Sequence, residues 1–193
     1  MARSAVATRG GVTRDRILNA AILRFARNSY ESVGLRDIAS DVGVDVAYVH
    51  RCFGSKERLF ADALEATMEP SSLFAGSAAD LAVTLGKQIF ARDKARGRNA
   101  VGPLDIIIRS LSSPEASRVL RKFTRDNVIH PLAKKIDQKI DTRAAVIIAV
   151  LTGVGILRNA LHIDSLTEAE GGELEKLIAQ IIEGIIVTDS PSG

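Results

Sequence analysis

The stretch RDIASDVGVDVAYVHRCF, residues 36–53, constrains the fold more tightly than any other part of the chain. Ile38 and Val42 stand four apart before Gly43, and Val49 and Phe53 stand four apart after it, so two short helices meet at a glycine turn. A helix-turn-helix crosses its two helices steeply over roughly three or four turn residues. That crossing needs a small residue in the first helix, glycine in the turn and apolar flanks that form a miniature core. Ala39, Gly43, Ile38, Val42, Val44 and Val49 meet those demands in order, and Asp45 caps the second helix. An ordinary αα-hairpin in a helical bundle is the alternative reading of the same pattern.

The flanks favour the first reading. From Arg14 to Arg27 the apolar residues Ile17, Leu18, Ala21, Ile22 and Phe25 recur at helical spacing with arginines on the other face, which predicts an amphipathic helix capped by Thr13. Residues 1–12 mix Ser, Thr, Gly, Ala and Arg without periodicity and are expected to form a flexible basic arm. The second helix starts at about Gly34, and Gly54-Ser55-Lys56-Glu57 reads as a turn that starts a fourth helix, which Glu69-Pro70-Ser71-Ser72 stops after Met68. Further helices are expected at 77–93, 102–111, 114–138, 142–163 and 172–187, punctuated by Gly97, Ser112-Ser113-Pro114, Asp141 and Gly171-Gly172. No stretch alternates as a strand does. The predicted class is all-α.

Charge is concentrated at one end. Residues 1–60 hold 10 Lys+Arg against 6 Asp+Glu, and the first 27 residues hold six arginines (Arg3, Arg9, Arg14, Arg16, Arg24, Arg27) with Asp15 as their one acid. Such an imbalance suits a polyanionic partner, and a solvated surface that happens to be basic is the alternative reading of the same count. The single cysteine, Cys52, excludes an intrachain disulfide and agrees with a reducing cytoplasm. The N-terminus lacks the apolar core of a secretory signal. The longest apolar run, Ala144 to Leu157 between two arginines, is 14 residues, too short for a bilayer. Catalysis fares poorly: His50, His130 and His162 are far apart, neither H-x-x-x-H nor a glycine-rich phosphate loop occurs, and Cys52 has no evident base beside it. No catalytic residue, metal or cofactor is expected. Asp126 and His130 share a helix face as a metal sensor's ligands would, yet two ligands do not make a site.

The stretch RILNAAILRFARNSYESVGLRDIASDVGVDVAYVHRCFGSKERLF, residues 16–60, resembles the DNA-binding domain of TetR-type bacterial transcriptional regulators. It shows an AA-x-L first helix, DIA in the second, GV before a short recognition helix, and F-x-x-K at the start of the next. Residues 100–187 are similar, more loosely, to an actinobacterial subset, through the Ser-Pro-Glu helix start and Arg118-Val-Leu-Arg-Lys-Phe. The resemblance implies a homodimeric, ligand-released repressor that binds a palindromic double-stranded DNA operator through the helix around residues 45–52. It implies a basic arm (1–12), a helix-turn-helix domain (13–60) and a helical-bundle domain for effector binding and dimerisation (61–193). A protein-binding or metal-sensing module that does not act on DNA is the rival.

Carried onto this chain, the resemblance assigns DNA contact to Arg36, Asp45, Val46, Ala47, Tyr48, His50, Arg51, Cys52 and Lys56, while Val49 and Phe53 point inward. Lys56 matches a lysine that holds a phosphate beside a helix N-terminus. Arg3 and Arg9 are expected to reach the backbone or the minor groove. The chain departs from the pattern where the family usually has Tyr and His at the positions of His50 and Cys52, and Thr or Ser at that of Gly34.

In the C-terminal part, Leu174, Leu177, Ile178, Ile181, Ile182, Ile185 and Ile186 fall on one wide face of helix 172–187, and helix 142–163 is apolar round most of its circumference. Two such helices from each of two chains would form a four-helix interface with two-fold symmetry, which a two-fold DNA reader requires, and packing of both within the chain's own core is the alternative. An effector of unknown identity is expected among Phe74, Phe90, Ile107, Phe123, Asn127, Leu157, Leu161 and His162, an apolar set with a few polar groups.

Overall fold

A computed structural model describes residues 2–68, 74, 80–88, 90, 101–136, 141–167 and 171–187, with side chains throughout these except at 2–10 and 88. Among the described residues the secondary structure is helical throughout, without a strand. By its contacts the chain divides into two units, Met1–Met68 with Val101–Lys122, and Glu69–Ala100 with Phe123–Gly193.

The first unit is built round α1, Ala2–Arg27. Ile17, Ala21 and Phe25 recur every four residues on its inner face and are wholly buried. A 3-10 turn, Tyr30–Ser32, leads to α2, Leu35–Val42, and α3, Val46–Phe53, follows after the Gly43 turn. The N–H of Gly34 donates to Asp37 Oδ2 at 3.0 Å, which ties off the start of α2. Gly43 ends α2 at φ 73°, the left-handed conformation that glycine adopts without steric cost. Helix α4, Lys56–Met68, packs on α1 through Leu59, Phe60, Ala63 and Leu64. Phe25, Tyr30 and Phe60 meet there, with Phe60 edge-on to both partners at 5.0 Å between centroids.

One expectation changes here. Residues 2–12, expected as a flexible arm, are the first turns of α1, and Thr13 lies inside that helix instead of capping it. Gly10 and Gly11 cost each about 1 kcal/mol in a helix interior, but no proline interrupts the run, and a helix already nucleated by packing propagates cheaply. By contact, the buried face of α4 continues beyond residue 60 and residues 101–122 join the first unit. This segment carries α6, Pro103–Ser110, against α1 and α4, and begins α7, Pro114–Thr124.

The second unit contains α5, Leu81–Gln88, then α8, His130–Lys135, α9, Thr142–Asn159, and α10, Glu173–Val187. Its core gathers Leu81, Leu85, Phe90, Leu132, Ala144, Ile147, Ile178 and Ile182. Helix α5 packs on α10 at Gly86, where a Cβ would stand in van der Waals contact, 3.4 Å from the Glu175 carbonyl oxygen. The expected helix 114–138 is divided by a π-turn, Arg125–Ile129. Pro131 explains it: the ring lacks the N–H that an unbroken helix would offer to the carbonyl four residues back and displaces that carbonyl. Residues 137 and 138, and most of 89–93, lie outside the described residues. Helix α9 stops four residues before the expected end, and His162 follows at φ 51°. At 18 residues and mean hydropathy 1.4, α9 is long and apolar enough by composition to cross a membrane, more so than its 14-residue uncharged run suggests.

Candidate nucleic-acid interface

Helix α3 is anchored by its inner side. Val49 is fully buried and Phe53 nearly so, beside Ile38, Ala39 and Val42 of α2, and this fixes the rotation of the helix about its axis. Ala47, His50 and Arg51 are consequently exposed, with Val46, Tyr48 and Cys52 half-buried at the margins. Asp45 Oδ1 accepts the N–H of Ala47 at 2.7 Å, so its carboxylate holds the start of α3. The Arg51 guanidinium lies 5.0 Å from the centre of the Tyr48 ring, a cation–π pair that holds both side chains on the outward side. The Tyr48 hydroxyl titrates above its ordinary value, first through desolvation and then through the neighbouring Cys52 thiol. His50 Nδ1 stands 3.1 Å from the Gly54 carbonyl oxygen, which leaves Nε2 as the ring atom available to a partner.

Two cationic side chains flank α3 at the starts of other helices. Arg36, second in α2, is exposed. Lys56 opens α4, with its ammonium 4.1 Å over the ring of buried Tyr30. A helix N-terminus already attracts anions through its free N–H groups and dipole, and a cation beside it adds to that attraction. Glu57 next to Lys56 has its carboxyl held below the usual range by its own backbone N–H and the Ser55 hydroxyl.

The arginines of α1 behave otherwise than their abundance suggests. Arg14 Nη2 lies 2.8 Å from Asp62 Oδ2, and the same guanidinium sits 4.6 Å over the Phe53 ring. Arg16 donates to the Val42 carbonyl at 3.0 Å. Arg24 grips both oxygens of Asp41, at 2.6 and 2.8 Å, and holds the Asp41 carboxyl below its usual range. These three brace α1 against α4 and α2, a role that no sequence signal marked, since each partner stands 17 to 48 residues away. The side chains of Arg3 and Arg9 lie outside the described residues.

The expected effector residues differ in burial. Phe90 is wholly buried beneath the Arg158 guanidinium, 4.7 Å from the ring, and Phe123 is buried. Asn127, Leu157, Leu161 and His162 are exposed, and Ile107 belongs to the first unit. Phe74 is half-buried against the second unit's core. Among the described residues no group of three His, Cys, Asp or Glu side chains stands close enough to hold a metal ion, and His130 pairs with Asp141 at 2.7 Å. The wide apolar face of α10 divides: Leu174, Ile178 and Ile182 are core, whereas Leu177 and Ile181 are each 48% exposed. On α9, Val146, Ala149 and Leu157 are exposed at helical spacing, and no atom comes within 4 Å of where a Cβ on Gly153 would stand.

Residues 17–63 match the family described as bacterial regulatory proteins, tetR family, and residues 80–186 match the tetracyclin repressor-like C-terminal domain. Among solved structures, the chain is similar to a TetR-family regulator from Streptomyces coelicolor A3 (23% identity, 90% of this chain and 94% of that one, TM-score 0.60). It is similar also to a transcriptional regulator from Rhodococcus sp. Rha1 (24% identity, 90% and 95% covered, TM-score 0.60). The multidrug binding protein EbrR, solved with ethidium, is a third such neighbour (20% identity, 90% and 98% covered, TM-score 0.61). Among curated proteins, none matches the chain.

Proposed function

Because the chain belongs to the tetR family of bacterial regulatory proteins, we propose that it is a homodimeric repressor that acts in the cytoplasm on a palindromic operator and is released by a small molecule. The observation that carries the reading is the outward side of α3, where Ala47, Tyr48, His50 and Arg51 stand free of the core that Val49 and Phe53 enter. A major groove admits one helix and is read through a few side chains. Arg51 and Tyr48 are the base readers, Val46 and Ala47 suit thymine methyl groups, and His50 and Cys52 border them. Arg36 and Lys56 hold phosphates at two helix starts, which positions the protein without reading sequence. No catalytic step enters this reading.

The exposed stripes of α9 and α10 form the dimer face, with Val146, Leu157, Leu177 and Ile181 meeting their copies round a two-fold axis. Gly153, open on its outer side, lets the partner helix approach closely. The apolar composition of α9 thus serves a protein interface and not a bilayer. The effector belongs to the second unit, near Phe90, Phe123 and Asn127 and toward Leu157, Leu161 and His162. Support comes from the family, and from one neighbour of the same fold that was solved with ethidium.

Salt-titrated binding to duplex DNA tests the reading. The affinity falls with salt, and Lys56→Ala weakens binding about equally on all sequences while lowering the slope of log K against log salt by about one. Melting is measured alongside, because Lys56 also covers Tyr30. A folded protein with no salt-dependent affinity for any duplex would overturn it.

A further inference from the structure

The first unit carries a second basic feature, none of whose lining residues belongs to α3 or α4. Between α1 and the C-terminal end of α2 lies an open groove of about 560 Å³, within the size range of small-ligand sites. Its α1 wall carries three arginines, Arg16, Arg24 and Arg27, which share one side of the helix, their backbone positions about 17 Å apart from first to last at 1.5 Å per residue. Asn19 and Asn28 add amide groups between and beyond them, and Asp41 is the single acid among the lining residues. Three cations against one anion leave the groove with a surplus of positive charge.

The donors are not all consumed. Arg24 is engaged with Asp41, and Arg16 gives one N–H to the Val42 carbonyl out of the five that a guanidinium carries. Arg27 is exposed, one turn beyond Arg24. Guanidinium groups favour planar, doubly hydrogen-bonded oxyanions, and several in a row favour several linked anionic groups over a single one.

We propose that this groove binds a small molecule of the polyphosphate class, inorganic or organic. Such a ligand competes with the Asp41 carboxylate for Arg24 and with the Val42 carbonyl for Arg16. Those two ties hold the C-terminal end of α2 to α1, directly before the Gly43 turn that sets α3. Occupancy therefore loosens α2 and weakens DNA reading. That consequence rests on the function proposed above, whereas the binding itself does not.

Calorimetric titration of the DNA-free protein with inorganic tripolyphosphate, with ionic strength held by sulfate, separates the two. The expected result is saturable binding of one molecule per protomer. Arg27→Gln, at a side chain without a hydrogen-bond or ion-pair partner among the described residues, should weaken it at least about tenfold, the worth of a charged hydrogen bond. Lys176→Gln, an equal charge loss on α10, should leave it unchanged. Heat that never saturates, or equal weakening by both variants, means charge screening only and overturns the proposal. Phosphates of the DNA backbone are the other source of this chemistry. If Arg27→Gln lowers the salt slope of DNA binding by about one, the groove serves DNA, and the small-molecule assignment falls.

Discussion

Arg14, Arg16 and Arg24 show what residue counting hides. Six arginines in the first 27 residues read as a footprint for a polyanion, yet these three are bound to Asp62, the Val42 carbonyl and Asp41. The sign of the charge is plain in the sequence, but its use depends on which acid or carbonyl the fold brings opposite, and that is tertiary information. Asp45 was legible because its partner, the Ala47 N–H, lies two residues away. Tyr30 was not foreseen at all. Its ring is wholly buried, its hydroxyl finds no hydrogen-bond partner among the described residues, and burial pushes that hydroxyl well above its ordinary pKa. A buried hydroxyl left unpaired costs about 1–3 kcal/mol. Tyr30→Phe keeps the ring contacts with Phe25, Phe60 and Lys56 and removes that cost, so thermal unfolding should move upward by several degrees. A clear drop in melting temperature would mean that the hydroxyl is satisfied in solution.

At the scale of elements, helices were legible wherever apolar residues recur on one face and a capping residue marks the end. The rotation of α3 followed from Val49 and Phe53, and both are core. Where the apolar face is too wide, periodicity loses its power. Helix α10 offers seven Leu or Ile positions from Leu174 to Ile186, and nothing in their spacing says which neighbour each one meets. The structure separates them, placing Ile182 fully inside and leaving Ile181 half exposed. Adjacent substitutions should therefore fail differently. Ile182→Glu places a carboxylate in a dry core and should unfold the second unit, a loss of several kcal/mol visible as lost helical circular dichroism. Ile181→Glu should keep the helical signal and melting profile while sedimentation shows monomers. A folded Ile181→Glu protein that stays dimeric at low micromolar concentration would move the interface elsewhere.

At the scale of the whole molecule, contacts join segments that stand far apart in the sequence. The resemblance implies a helix-turn-helix domain over 13–60, and by contact residues 101–122 join the unit that contains it, with Ile106 fully buried and the Ser113 hydroxyl bonded to the Glu31 carboxylate. Contacts across 82 residues leave no local trace in sequence. The family resemblance supplied the class of molecule, and the packing of α3 supplies the reason this chain has a side free to read DNA. Genomic fragments retained by the purified protein, recovered at physiological salt and sequenced, test that account most directly, with Tyr48→Ala carried in parallel. The account predicts a shared inverted repeat whose half-sites are centred about one helical turn of DNA, or a multiple of it, apart. It also predicts that Tyr48→Ala, melting as the parent does, binds that repeat about 1–3 kcal/mol more weakly. Retained fragments without a common motif, or a folded Tyr48→Ala protein with undiminished affinity for the repeat, would contradict it.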